Sequence, residues 1–278
     1  MTITNMLHPQ PTSNSIVLLL PPNASNEVHR IINAVAERTG LPVTGQPQAD
    51  FYLYLKKGKL TLRNQTQTQP VDVSVDFCAG KNRHRLQFGG GLGQPLARAI
   101  NAKALRQSTD GQTVICDATG GFGGDALVFA TLGCRVVILE KSAIVYELLK
   151  DGIARAQQDD KLNDTAMRME VHRADSTLLP QVWPYPFAPH TVYLDPMYPQ
   201  KTKQAAAKKE MQTLKKLFAG NNSEDTDPTL LAAALATASA RVVVKRPASA
   251  EPITGAIPVG NISSTNTRYD LYKPTATG

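Results

Sequence analysis

One stretch, residues 114–125, constrains the fold more than any other part of the chain. It reads V-I-C-D-A-T-G-G-F-G-G-D. The apolar run Val114–Cys116 is typical of a buried strand, and four glycines within five positions follow Asp117. Residues 126–132 then predict a helix. Strand, glycine turn and helix in this order indicate a site for a nucleotide-like ligand, because glycine lets the backbone approach and a helix N-terminus offers N–H groups.

Acidic residues around the glycine turn indicate which ligand it binds. Residues 121–126 fit the G-x-G-x-x-A pattern of dinucleotide sites, and the next strand, residues 135–140, ends in an acid that can accept both hydroxyls of a ribose. NAD and S-adenosylmethionine (SAM) both carry such a ribose. Asp117 and Asp125 would repel a pyrophosphate, whereas they suit the ammonium and sulfonium groups of SAM. Charge therefore favours SAM.

Three later strands also end in polar residues. Residues 168–172 precede Asp175, residues 191–195 end at an aspartate, and residues 241–247 carry a Lys-Arg pair near their end. In an open parallel sheet, ligands bind at the carboxyl ends of the strands, so we expect one shared site. Asp175 either contacts the adenine amino group or caps a turn.

The segment Asp195-Pro-Met-Tyr198 is the second motif that matters. A residue before proline is held out of the helical region, so this loop is stiff and its carbonyl groups are fixed. Tyr198 can stack on a flat base. Asp-Pro alone is a common turn, but this motif at the end of a fourth strand, downstream of the glycine turn, is much more specific.

The chain carries a net charge of +7, which is compatible with a polyanionic partner. A basic segment precedes a glycine run at residues 89–93, and lysines repeat every seven residues on a predicted helix over 201–218. Both are either solvated surface or contacts to RNA phosphates. We expect phosphate contacts from Arg83, His84, Arg85, Lys201, Lys208, Lys245 and Arg246.

The element pattern predicts an α/β fold with a mostly parallel sheet flanked by helices, preceded by a small α+β unit. We expect a loose tail over 1–14, the α+β subdomain over 15–94 and the main domain over 95–278. The sequence holds no apolar run of membrane length, no signal peptide, and no His or Cys spacing that fits a metal. Three cysteines without a pairing pattern indicate the reducing cytoplasm.

Together these motifs resemble the ribosomal RNA small subunit methyltransferase J family, over roughly residues 50–273. The resemblance rests on D-A-T-G-G-F-G-G-D, L-E-K at 139–141, Y-L-D-P-M-Y-P at 193–199, K-K-E-M at 208–211 and V-V-V-K-R-P at 242–247. It implies a Rossmann-like SAM-dependent methyltransferase fold. It also implies transfer of a methyl group from SAM to the exocyclic N2 of a guanine in 16S rRNA, with naked rRNA or the assembled small subunit as partner.

The resemblance and the charge argument together assign the site residues. The expected cofactor contacts are Asp117, Gly121, Gly123, Gly124, Asp125, Glu140, Lys141, Asp175, Ser176 and Asp195. The expected catalytic residues are Asp195, Pro196 and Tyr198. Basic residues that are usual in the family are replaced by Gly124, Leu86 and Leu92.

Two other classes of function stay open on the sequence. A nicotinamide dehydrogenase would explain residues 121–126 but not the Asp195 motif, and a non-catalytic RNA-binding protein would not need that motif. Within the methyltransferases, an adenine N6 or a protein amide is an alternative acceptor, because such enzymes use similar Asp/Asn-Pro-x-aromatic motifs.

Overall fold

The computed structural model describes residues 16–66, 69–79, 91–107, 113–196 and 228–275. Their contacts divide them into two compact units. One contains residues 16–56, 61–66 and 69–73, and the other contains 57–60, 74–79, 91–107, 113–196 and 228–275. The domain bounds 15–94 and 95–278 stay a prediction.

Five of the described strands form the first sheet, in the order β2-β1-β3-β4-β5. They are β1 (Ile16–Leu19), β2 (Val43–Thr44), β3 (Phe51–Lys56), β4 (Lys59–Asn64) and β5 (Val71–Val73). Helix α1 (Asn26–Thr39) connects β1 to the parallel β2. The Ser25 hydroxyl caps its first turn, and Gly40 ends it in the left-handed region at φ 73°.

Seven described strands form the second sheet, in the order β11-β12-β10-β9-β6-β7-β8. They are β6 (Val114–Asp117), β7 (Arg135–Glu140), β8 (Met169–Arg173), β9 (Thr191–Leu194), β10 (Arg241–Pro247), β11 (Gly260–Ser263) and β12 (Thr267–Tyr272). Strands β6 to β10 pair in parallel, and β12 pairs antiparallel with β10 and β11. The chain reverses its direction of progress across the sheet between β6 and β9. This is the point where α/β sheets bind ligands.

Helices connect the parallel strands. The described ones are α2 (Pro95–Ala99), α3 (Ala102–Gln107), α4 (Gly124–Thr131), α5 (Ala143–Ala156), α6 (Asn163–Ala166), α7 (Leu179–Val182) and α8 (Pro228–Thr237). Strands β6 and β9 are buried along their whole length, which explains why they are continuous apolar runs rather than alternating ones. The expected mostly parallel α/β fold is confirmed.

Two expected elements differ in the structure. The alternating residues 71–77 predict one strand, yet β5 ends at Val73; Val75 and Phe77 are buried without pairing as a strand. Val75 instead packs on α5, where a Cβ on Gly152 would lie 2.5 Å from its Cγ1. The expected helix from Pro95 to about residue 104 is two helices, because Asn101 adopts φ 60° between α2 and α3. No helix in the described ranges has both the length and the apolar character to span a membrane.

Candidate active site

The glycine turn between β6 and α4 has room for nothing larger than glycine at its first position. A Cβ on Gly120 would lie 2.5 Å from Ile138 Cγ2 and 3.1 Å from the Leu139 carbonyl oxygen. Gly121 and Gly123 adopt φ 51° and 69°, which disfavours any side chain. The turn therefore lies directly on strand β7.

Backbone hydrogen bonds tie this turn to both neighbouring strands. The Gly120 N–H donates to the Leu139 carbonyl at 3.0 Å, and the Ala118 N–H donates to the Tyr193 carbonyl at 3.0 Å. The turn is thus held between the carboxyl ends of β7 and β9. Gly124 begins α4. The N-cap residue, Gly123, has no side chain that could accept hydrogen bonds from the first N–H groups of the helix.

Glu140, the last residue of β7, closes the turn from the other side. One carboxylate oxygen accepts from the Gly121 N–H at 2.8 Å, and the other accepts from the Ser142 N–H at 2.7 Å. Burial raises the pKa of Glu140 to about 7, although both N–H donors favour the ionised form. The side chain is oriented by these two backbone N–H groups and is partly exposed.

Three aspartates and one lysine converge where β6, β9 and β10 end. Asp117 ends β6 and is 2% exposed, Asp125 lies in the first turn of α4, and Asp195 follows β9. The Lys245 ammonium group lies 2.7 Å from Asp125 Oδ2 and 2.8 Å from Asp195 Oδ2. The Tyr193 hydroxyl also donates to Asp125 Oδ2, at 2.6 Å.

The pKa values of this cluster reflect an excess of negative charge. Burial, reinforced by the Asp125 carboxylate, raises the pKa of Asp117 to about 8. Burial opposes charge on Lys245, but the two carboxylates outweigh it and raise the pKa of its ammonium group above the ordinary value. A cationic ligand would relieve this excess, whereas a pyrophosphate would add to it. The residues present therefore fit the sulfonium and ammonium groups of SAM.

The backbone around Asp195 is fixed from the glycine turn. The Asp195 N–H donates to the Thr119 hydroxyl at 2.6 Å, and Pro196 is buried. The Asp195 side chain itself remains 40% exposed. A carboxylate that faces solvent beside the glycine turn can accept hydrogen bonds from a substrate.

The other expected cofactor contacts lie at the ends of β7 and β8. Asp175 accepts from the N–H and the hydroxyl of Thr177, at 2.9 and 2.8 Å, and so caps a short 3-10 turn. Ser176 is buried in that turn, and Lys141 is exposed after Glu140. Arg246, which is an expected phosphate contact rather than a cofactor contact, is only 3% exposed and donates to the Glu251 carbonyl at 2.7 and 3.1 Å.

Six expected site residues lie outside the described residues. They are Arg83, His84, Arg85, Tyr198, Lys201 and Lys208. Among the described residues, no three His, Cys, Asp or Glu side chains are grouped as a metal ion would require.

Three residues that the sequence motifs do not predict also contribute to the site. Thr119 binds the backbone of Asp195, Tyr193 binds Asp125, and Ser142 donates to Glu140. Only Tyr193 carried a signal, because a tyrosine in a fully buried strand needs a partner for its hydroxyl group.

Comparison with known proteins identifies the family. Residues 34–274 match the family described as "Putative SAM-dependent methyltransferase". Ribosomal RNA small subunit methyltransferase J of Hydrogenovibrio crunogenus is 48% identical over 205 residues, which cover 72% of this chain and 69% of that protein. The protein of the same name from Chromohalobacter salexigens is 41% identical over 243 residues, covering 86% and 91%.

A solved structure agrees. A SAM-dependent methyltransferase of Neisseria gonorrhoeae superposes with a TM-score of 0.71 at 30% identity, covering 95% of this chain and 97% of that one. The chain belongs to the ribosomal RNA small subunit methyltransferase J family, as the sequence motifs predict, and its cofactor is SAM.

Proposed function

From this family membership, we propose that the protein transfers a methyl group from SAM to the exocyclic N2 of a guanine in small-subunit rRNA. The relatives' name gives the substrate class. The net charge of +7 supports a polyanionic substrate. We place the reaction in the cytoplasm, on naked rRNA or on the assembled small subunit.

The cofactor contacts follow from the chemistry of the site. SAM supplies an electrophilic methyl group on a cationic sulfur. Glu140 accepts the ribose hydroxyls, and Asp117 and Asp125 stabilise the cationic methionine end together with the backbone of residues 120–124. Asp175 and Ser176 bind the adenine, and Lys141 borders the ribose site.

Asp195 is the proposed catalytic group. The guanine amino nitrogen is a poor nucleophile because its lone pair is delocalised into the ring. Hydrogen bonds from that amino group to the Asp195 carboxylate and to the carbonyl of Pro196 would concentrate electron density on nitrogen. They would also stabilise the positive charge that develops during transfer. As the N–C bond forms, the S–C bond would break and leave S-adenosylhomocysteine as product; the methylated nitrogen is then acidic and would lose its proton to water.

The remaining proposed residues bind the RNA. Tyr198 stacks on the base, which must leave its own stack to reach the site. Arg83, His84, Arg85, Lys201 and Lys208 neutralise phosphates. Lys245 and Arg246 were also expected to do so, but each of these two has carboxylate or carbonyl partners within the protein.

A single observation carries this function best: the partly exposed Asp195 carboxylate beside the glycine turn, which contacts the Lys245 ammonium group while the Asp195 N–H is bound to the Thr119 hydroxyl. An adenine N6 or a protein amide is the second candidate acceptor. It is favoured by the same Asp-Pro-x-aromatic sequence motif, since any amino group conjugated to a π system needs the same acceptor.

The test uses tritiated SAM with the purified protein, naked small-subunit rRNA and assembled small subunits, followed by digestion to nucleosides. Label in N2-methylguanosine supports the proposal, and the better substrate shows when in assembly the enzyme acts. Label in another nucleoside would overturn the guanine assignment. Asp195→Asn keeps the shape of the side chain and should lower kcat by about 10²- to 10³-fold while leaving RNA affinity within about threefold.

A further inference from the structure

Lys245 is the one basic residue of the described site that touches two of its carboxylates. Val244 pairs with Leu194 across β10 and β9, so the next two residues, Lys245 on β10 and Asp195 just after β9, lie side by side. The ammonium group reaches Asp195 Oδ2 at 2.8 Å and Asp125 Oδ2 at 2.7 Å. The side chains are 26%, 40% and 9% exposed for Lys245, Asp195 and Asp125. The lysine is therefore largely enclosed.

The partners of Lys245 are themselves anchored. Asp125 lies on the first turn of α4 and accepts from the buried Tyr193 hydroxyl at 2.6 Å. The backbone of Asp195 is bound to Thr119 in the glycine turn. Lys245 thus connects a rigid carboxylate on the cofactor side to the more exposed carboxylate on the acceptor side. A charge-assisted bond to Oδ2 restricts rotation of the Asp195 carboxylate.

We propose that Lys245 is a positioning residue for methyl transfer, which fixes the orientation and the ionised state of Asp195 by tying it to Asp125. This inference rests on the proposed role of Asp195 and deepens it. It also replaces the expected role of Lys245 as a phosphate contact. Because methyl transfer depends on alignment, misplacement of the acceptor by about 1 Å costs about 100-fold in rate.

The two roles of Lys245 predict different kinetics. A positioning residue affects kcat, whereas a phosphate contact affects the KM for RNA and the salt dependence of binding. We expect Lys245→Met to lower kcat by about 100-fold and to change the KM for rRNA by less than about threefold. Lys245→Arg keeps the charge and both acceptors within reach, and should recover at least tenfold of that loss. An unchanged kcat with a raised KM would overturn the proposal.

The pH profile of kcat gives a readout that a merely structural role would not move. Removing the ammonium group leaves neighbouring carboxylates uncompensated, so the acidic limb of the Lys245→Met profile should shift to higher pH. The titratable groups around it are Asp117, Asp125, Asp195, Tyr193 and Tyr269. A rate lowered by the same factor at every pH would contradict the inference.

Folding is controlled in two ways. Lys59→Met removes a lysine that pairs with Asp76, and since neither residue is among the proposed site residues it should leave kcat unchanged. If Lys245→Met does not fold, Lys245→Met with Asp125→Asn also removes the buried carboxylate that has lost its ammonium partner, and restores the net charge of the cluster. This double variant should still be about 100-fold slow at saturating SAM; turnover within twofold of wild type would refute positioning.

The proposed function and this inference fail separately. The product nucleoside made by the wild-type enzyme tests the function. The variant-to-wild-type ratio of kcat, measured on whichever product forms, tests Lys245.

Discussion

The state of ionisation of Glu140 should control cofactor affinity. Its carboxylate accepts from two backbone N–H groups and is the proposed partner of the ribose hydroxyls. Burial raises its pKa from 4.5 to about 7. Only the ionised form offers charge-assisted hydrogen bonds to both hydroxyls. We therefore expect SAM to bind more tightly as the pH rises through 7.

The magnitude follows from the titration. With a pKa of about 7, Glu140 is ionised in about 9% of molecules at pH 6 and about 91% at pH 8, so its contribution to the Kd for SAM changes about tenfold. Glu140→Gln keeps the shape and removes the charge. The pKa of Asp117 is raised to about 8, so this residue also affects the pH dependence of SAM binding, but it does so equally in the wild type and in Glu140→Gln. The prediction therefore concerns the Kd of Glu140→Gln divided by the Kd of the wild type. This ratio should be about tenfold larger at pH 8 than at pH 6.

Isothermal titration calorimetry measures that ratio at pH 6, 7 and 8. The ligands are SAM and S-adenosylhomocysteine, which carry the same ribose. A ratio that stays constant over this range would refute the reasoning.

The ligand-free protein offers a second measurement. Asp117, whose pKa is also raised, contributes to the pH dependence of wild type and variant alike. Between pH 4.5 and 7 the folded state binds more protons at Glu140 than the unfolded state, so the contribution of Glu140 to the free energy of unfolding falls by up to about 3 kcal/mol as the pH rises through this range. The variant should lack this fall.

Three further predictions test the architecture. Gly120→Ala should cost about 1–3 kcal/mol of stability and lower Tm by several degrees relative to Gly260→Ala, which adds a methyl group in open space; equal Tm values would contradict the tight approach to β7. Thr119→Val removes the acceptor of the Asp195 N–H and should lower kcat about tenfold with SAM affinity retained; an unchanged kcat would show that this bond does not orient the loop. The Arg63 guanidinium group holds the pKa of Asp72 well below its usual range, so Asp72→Asn should destabilise at pH 7, and the difference from wild type should shrink progressively as the pH falls from about 4 towards that lowered pKa; urea unfolding at pH 7 and at several pH values below 4 checks this, and a constant difference would contradict it.

The sequence predicts the strands of the second sheet well, because their apolar runs are short and bounded by clear turns. Residues 135–140 and 241–247 match β7 and β10 throughout. The alternation over 71–77 misleads, since Val75 and Phe77 are buried by packing on neighbouring side chains rather than by pairing. Alternation reports which side chains are buried and carries no information about backbone partners.

The site residues, too, are only partly predictable from the sequence. The acids Asp117, Glu140 and Asp195 are predictable because each follows a recognisable strand at its carboxyl end. The contacts of Lys245 are not, since they depend on which strand lies beside β10. The order β10-β9-β6 is a property of the whole topology. The sequence therefore predicts Lys245 at the shared site, but as a contact to RNA phosphate rather than as a partner of Asp125 and Asp195.

The distance between the glycine turn after β6 and the Asp195 loop after β9 has a consequence for the evolution of such enzymes. Both loops leave adjacent strands, β6 and β9, whose spacing is set by main-chain hydrogen bonds and is the same for any side chains. Mutations on the outer surface can therefore alter which nucleic acid or protein docks without disturbing the reacting geometry.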